Sequence, residues 1–177
     1  MTSQPIVTVF GSAAPRSGEQ LYETARQLGA GLARLGLTVC NGGYGGTMEA
    51  TARGAREAGG HTIGITCRAL GRPGANAYIR EVIETGTLLE RLETLLRLGR
   101  AYVVLPGGTG TLAELALCWE MRNKGLIEAA RPLVLLGDWW QPVVDCVARV
   151  QPAELVTAAG DVDGVLETLS RHFGPGA

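Results

Sequence analysis

The amino-acid sequence predicts an α/β protein: a Rossmann-like, doubly wound, mostly parallel sheet with helices on both faces. Three observations carry that expectation. Short apolar runs alternate along the chain with longer segments of helical period. Two of those runs, residues 37–40 and 101–105, open straight into glycine-rich turns that precede a helix. The connections are short, which suits strand–turn–helix crossovers of right-handed sense.

Residues 6–10 form the first strand, which opens into Gly11-Ser12-Ala13-Ala14-Pro15. A helix follows from about 19 to 35, with Leu21, Ala25, Leu28 and Leu32 on one face. Residues 37–40 repeat the theme and run into Asn41-Gly42-Gly43-Tyr44-Gly45-Gly46-Thr47, then a helix over 48–58 that Gly59-Gly60 ends. Residues 61–65 are the third strand. Residues 66–78 contain Gly71, Pro73 and Gly74 without any period, which predicts a loop over a site. Residues 81–83 add a short extended piece, and leucines at 88, 89, 92, 95, 96 and 98 give 87–98 a broad apolar helical face. After the strand at 101–105, a helix begins near Thr111. Residues 132–136 supply a fifth buried strand, and 139–150 a helix with Pro142 in its first turn. Residues 155–157 are an edge strand, 162–173 a closing helix, and Gly174-Pro175-Gly176 a frayed end.

A chain of 177 residues with 46% hydrophobic content holds one well-buried core and is short for two, so a single domain over 1–177 is expected. The formal net charge of -1 exerts no pull toward nucleic acid or an anionic membrane. The opening residues lack a basic region followed by an apolar signal core, and no apolar run has membrane-spanning length, so a cytoplasmic protein is expected. Cys40, Cys67, Cys118 and Cys146 form no C-x-x-C pattern, and His61 and His172 lack partners at ligand spacing. No metal site and no Ser-His-Asp machinery is expected. Gly42-Gly43-Tyr44-Gly45-Gly46 is not G-x-G-x-x-G, and no lysine follows either glycine loop as an ATPase would require. Lys124, the sole lysine, sits at the far end of a helix and is a poor Schiff-base residue. No cofactor is expected.

The stretch from Ala101 to Glu114 organises the chain. A buried strand ends at Pro106-Gly107-Gly108-Thr109-Gly110-Thr111 and is followed by a helix. Free backbone N–H groups and the positive end of the helix dipole favour an anion there, and missing side chains let a phosphate approach the main chain. Glu114 lies one turn further in. Thr111-Leu112-Ala113-Glu114 also fits a T-x-x-E capping box, which accounts for the threonine and the glutamate but not for the adjacent glycines.

Pro106-Gly107-Gly108-Thr109-Gly110-Thr111-Leu112-Ala113-Glu114 resembles the PGGxGTxxE signature of the LOG family, the cytokinin-activating phosphoribohydrolases. Phe10-Gly11-Ser12 is similar to that family's F-C-G-S turn without the cysteine. The loop Gly42-Gly43 through Gly46-Thr47-Met48 is similar to its G-G-G-x-x-G-L-M loop, and Glu90-Arg91 falls where it has H-E-R-K. The resemblance covers residues 6–137. It implies hydrolysis of the N-glycosidic bond of a purine nucleoside 5′-monophosphate, AMP or a cytokinin riboside monophosphate, with Arg91 and Glu114 as the catalytic pair. It also implies a homodimer, for which Trp119, Met121 and the apolar helix around Leu88 offer surface.

Substrate contacts are expected from Ser12, from Gly43, Gly46 and Thr47, from Asn76, and from Gly107, Gly108, Thr109, Gly110 and Thr111. Two opposed helix ends would then hold the phosphate. Structural alternatives stand beside two of these residues: Arg91 as a helix-surface arginine paired with Glu90 or Glu93, and Asn76 as turn chemistry. The family's lysine after the arginine is Leu92 here, its histidine is Leu89, and the first glutamate of its E-E pair is Ala113. Those departures leave a second possibility, a non-catalytic nucleotide or phosphorylated-cofactor carrier like the molybdenum cofactor carriers.

Overall fold

The computed structural model describes residues 4–151 and 153–174. Seven strands form one sheet: β1 (Ile6–Phe10), β2 (Thr38–Asn41), β3 (Thr62–Cys67), β4 (Glu81–Thr85), β5 (Ala101–Val104), β6 (Leu133–Leu136) and β7 (Thr157–Ala159). Their order across the sheet is β4-β3-β2-β1-β5-β6-β7, and every pairing is parallel. Among the described residues six α-helices pack on it: α1 (Gln20–Arg34), α2 (Thr47–Glu57), α3 (Leu88–Leu98), α4 (Thr109–Asn123) and α5 (Gln141–Val147) connect strands, and α6 (Val162–Phe173) follows β7, while β3 and β4 are joined without an α-helix. The predicted doubly wound fold is borne out.

Side-chain alternation divides the core into two layers. Val7, Val39, Ala101 and Val103 face the layer shared with α1, α2 and α6. One residue further along, Cys40, Tyr102 and Leu133 share a row with Thr8, as the register Thr8↔Cys40 and Thr8↔Tyr102 requires, and face α3, α4 and α5. Both faces are covered, which is why the central strands read as continuous apolar runs rather than as alternating ones. Thr8 is the exception, and its hydroxyl donates to Leu95 O at 2.9 Å.

Several expectations are corrected in detail. Helix α4 starts at Thr109, before Thr111, with Gly108 in the N-cap position. The segment expected to be a loop from 66 begins as the end of β3 and continues as a 3₁₀ turn, Arg68–Leu70. The last strand lies at Thr157–Ala159, because that register pairs with Val134–Leu136, while Leu155 packs against the core. Helix α5 ends at Val147. The expectation for Pro175 and Gly176 lies outside the described residues.

Candidate active site

The sheet order locates the site. The chain winds one way from β1 to β4 and the other way from β5 to β7, so β1 and β5 are neighbours whose crossovers diverge. A crevice opens beyond their carboxyl ends at such a switch point. Here it is a cleft of about 370 Å³, of a size that accepts a small ligand. Its walls come from Gly11–Ala14 after β1, Tyr44 and Met48 after β2, Leu70 and Arg72 after β3, Arg91 from α3, and Gly108–Thr111 with Glu114 from α4. A larger groove of about 730 Å³ runs along α1 and α6, but Arg26 and Glu57 there already pair with each other at 2.7 Å. The cleft at the switch point is therefore the candidate.

One wall is the amino end of α4. The first amides of a helix have no intrahelical partner, and the first in α4 to find one is Leu112 N, which donates to Gly108 O at 2.9 Å. The amides of Thr109, Gly110 and Thr111 precede it and stand at the positive end of the helix dipole. Glu114 lies three residues past Thr111, about 4.5 Å further along the axis.

Glu114 is 9% exposed and faces Arg91, itself 7% exposed, with Nη1 3.7 Å from Oε1. At that separation the two attract each other without a direct hydrogen bond. Burial pushes the Glu114 carboxyl up to about 7, and the Arg91 charge offsets only part of the rise. Arg91 is held from behind: Nε donates to Ile65 O at 2.8 Å, and its guanidinium carbon lies 5.6 Å from the centre of the Tyr44 ring. Gly42 makes room for it, since a Cβ there would lie 1.8 Å from Arg91 Nη2. Tyr44 is anchored in turn by its hydroxyl, which accepts from Cys67 N at 2.8 Å and lies 3.3 Å from Cys67 O. A second cation, Arg72, lies 5.2 Å from the same ring.

These contacts correct both structural alternatives built on side-chain pairing. Arg91 is not a surface arginine paired with Glu90, because Glu90 accepts from Gly86 N and Arg91 points inward. The T-x-x-E motif caps a different helix. Thr87 Oγ1 accepts from Glu90 N at the start of α3, whereas Thr111 already lies inside α4.

Of the residues expected to touch substrate, Ser12, Gly108, Thr109, Gly110 and Thr111 line the cleft together with Arg91 and Glu114. Gly43, Gly46, Thr47, Asn76 and Gly107 lie outside that wall. Thr47 N and Oγ1 both donate to Ser12 O, at 2.8 and 3.0 Å, so the amino end of α2 is stoppered by a protein carbonyl. The expected pair of opposed helix ends is therefore corrected to one open end. Gly43 and Gly46 are bends with φ of 77° and 69°. The Asn76 amide donates to Gly43 O and Tyr44 O and accepts from Tyr78 N, so all its polar atoms serve the backbone. Trp119 is 3% exposed and belongs to the core; exposed apolar residues on α3 and after α4 are Leu88, Leu89 and Leu126. Tyr44, Met48, Leu70 and Arg72 were not anticipated. Tyr44 carried one signal, as the only large residue within a run of glycines.

Fold and site together define a class: a parallel α/β protein with a buried acid–arginine pair beside an open helix amino end at its switch point. Residues 4–144 match the SLOG cluster4 family, and the chain belongs to that family. It is 36% identical over 141 residues to the cytokinin riboside 5′-monophosphate phosphoribohydrolase of Mycobacterium tuberculosis, spanning 78% of this chain and 74% of that protein. It is 31% identical over 143 residues to the pyrimidine/purine nucleotide 5′-monophosphate nucleosidase of Escherichia coli, spanning 75% of this chain and 31% of that one. Among solved structures, the molybdenum cofactor carrier protein of Chlamydomonas reinhardtii superposes with a TM-score of 0.79 at 28% identity, over 96% of this chain and 98% of that chain. The resemblance to LOG phosphoribohydrolases read from the signature at Pro106–Glu114 is borne out.

Proposed function

We propose that the protein hydrolyses the N-glycosidic bond of a purine nucleoside 5′-monophosphate, AMP or a cytokinin riboside monophosphate, to the free base and ribose 5-phosphate. The observation that carries this is the buried Glu114 carboxyl facing Arg91, one turn inside the open end of α4. The phosphate docks on the amides of Thr109, Gly110 and Thr111, with Ser12 and Arg72 at its margins. That anchorage sets the ribose anomeric carbon against Glu114. As the bond to the base breaks, its electron pair leaves with the base and positive charge develops on the ribose, which the carboxylate stabilises. Glu114 takes a proton from the attacking water while the water oxygen bonds to the anomeric carbon. That proton then neutralises the departing base. Arg91, permanently charged and fixed by Ile65 O, holds the ribose hydroxyls or phosphate in register with the acid.

The test is incubation of the purified protein with AMP while free adenine and ribose 5-phosphate are measured. Both should appear in equal amounts; no turnover of any common nucleoside monophosphate would refute hydrolysis. The full-length superposition on a molybdenum cofactor carrier, together with Leu92 and Ala113, supports a second reading: nucleotide retention without cleavage. Tight AMP binding with no product would select it.

The same proposal includes a homodimer, a cytoplasmic location and a free nucleotide rather than a nucleic acid as partner. Leu88, Leu89 and Leu126, at 48, 76 and 71% exposure, support a covered α3–α4 face. The net charge of -1 supports the absence of a nucleic-acid partner. No helix among the described residues is long and apolar enough to cross a membrane.

A further inference from the structure

We propose that Trp139 and Trp140 are positioning residues that hold the phosphate loop in its binding conformation, a role that rests on the hydrolase reading given above. Three consecutive carbonyls leave β5, and each meets a different donor. Trp140 Nε1 donates to Leu105 O at 3.0 Å, Ser12 N to Pro106 O at 3.2 Å, and Trp139 Nε1 to Gly107 O at 3.2 Å. A peptide unit is planar, so a bond to its oxygen fixes the orientation of the whole plane, including the N–H on its other edge. The plane joining Gly107 to Gly108 is the one most in need of such a bond. Glycine populates positive and negative φ with similar ease, so this plane is flanked by two residues that resist rotation least. Rotation there would swing the Gly108 amide and misalign the Gly108 carbonyl that receives Leu112 N, the first hydrogen bond of α4.

The two indoles differ in burial, and that difference makes the proposal testable. Trp140 is 5% exposed and packs in the core beneath the loop. Trp139 is 59% exposed, so its polar role is separable from any packing role. Both residues follow β6, while the loop follows β5. The brace therefore reaches between neighbouring strands, across 32 residues for Trp139 and 35 for Trp140. An exposed tryptophan that gives its only polar atom to a glycine carbonyl beside a phosphate cradle has its explanation in that bond.

The experiment compares wild type with Trp139→Phe, which keeps an aromatic ring and removes the N–H. Hydrogen exchange without ligand reads the brace itself: the amides of Leu112 and Ala113 should exchange several-fold faster in the variant, with the rest of the sheet unchanged. The kinetic consequence is a KM for AMP raised about three- to tenfold, the loss of one hydrogen bond, with kcat changed less than twofold. Inhibition by ribose 5-phosphate should weaken by the same factor, while inhibition by adenine, which has no phosphate, should not move. Unchanged exchange at Leu112 and Ala113 overturns the brace, as does exchange accelerated throughout the protein. Equal weakening of ribose 5-phosphate and adenine also overturns it. If wild type fails to cleave AMP while the local exchange difference persists, the hydrolase reading fails and the brace stands.

Discussion

Glu114 is the residue on which chemistry and stability pull in opposite directions. Its carboxyl is raised from 4.5 to about 7 by burial, so in the free enzyme it is half ionised near neutrality. A base must be ionised to accept a proton, so kcat/KM should fall about tenfold for each pH unit below 7. A profile flat from pH 5 to 8 would remove Glu114 as the base. Glu114→Gln should abolish base release while AMP still binds, because the amide keeps the shape and cannot take the proton. Stability follows the opposite sign. Between pH 4.5 and 7 the native state holds this proton more tightly than the unfolded chain does. The group's contribution is therefore fully present below 4.5 and lost as pH rises through 7. The loss is up to about 3 kcal/mol, from the size of the shift. Denaturant titrations of Glu114→Gln and wild type should show the difference moving in favour of glutamine by that amount between pH 5 and 8. No movement would mean that the carboxyl is not raised.

Among elements, α3 and α4 face one another across the cleft, each setting one member of the proposed catalytic pair. The start of α3 is held by Thr87, whose hydroxyl accepts from Glu90 N, and Thr87→Ala should cost about 1 kcal/mol of stability in chemical denaturation. The bend after β2 governs Arg91 more directly. A methyl group at Gly42 would occupy the space of Nη2, and Nε is already tied to Ile65 O, so the guanidinium has to leave its place. Gly42→Ala should lower kcat/KM by about a hundredfold, the cost of misplacing a group by about 1 Å. Wild-type activity in that variant would show that Arg91 needs no fixed position. The α2 loop has the opposite character. It looks like a phosphate cradle in sequence, yet Ser12 O takes the first amide of α2, so this loop is tied to the turn after β1 and lines the cleft with Tyr44 and Met48 instead of an open helix end.

At the scale of the molecule, the parallel order around β1 and β5 brings loops that are a hundred residues apart to one crevice. The sheet is covered on both faces, and the large apolar residues left exposed include Leu88 and Leu89 at the start of α3 and Leu126 after α4, besides Val82, Trp139 and Val150 elsewhere. Leu88, Leu89 and Leu126 support the proposed association of two chains through the α3 and α4 side. Light scattering at micromolar concentration should give twice 18.6 kDa, and Leu89→Glu combined with Leu126→Glu should restore the single-chain mass. A wild-type protein of single-chain mass would refute the dimer.

The period of the apolar residues and the position of the glycines are local properties, and they were enough to define the α/β fold and the strand–loop–helix units, while the signature at Pro106–Glu114 pointed to Glu114 as the proposed acid. The T-x-x-E pattern shows where local letters mislead: it occurs at Thr87–Glu90 and at Thr111–Glu114, but only the first caps a helix. Asn76 shows the same from another side, since whether an amide serves a ligand or a backbone depends on which carbonyls surround it. Which carboxylate Arg91 meets, how far burial raises Glu114, which helix end stays open and what braces the loop were decided by tertiary structure alone. Each depends on groups separated by 20 or more residues. Such contacts leave no periodicity in the chain, and their desolvation exists only once both sides of the cleft have closed around them.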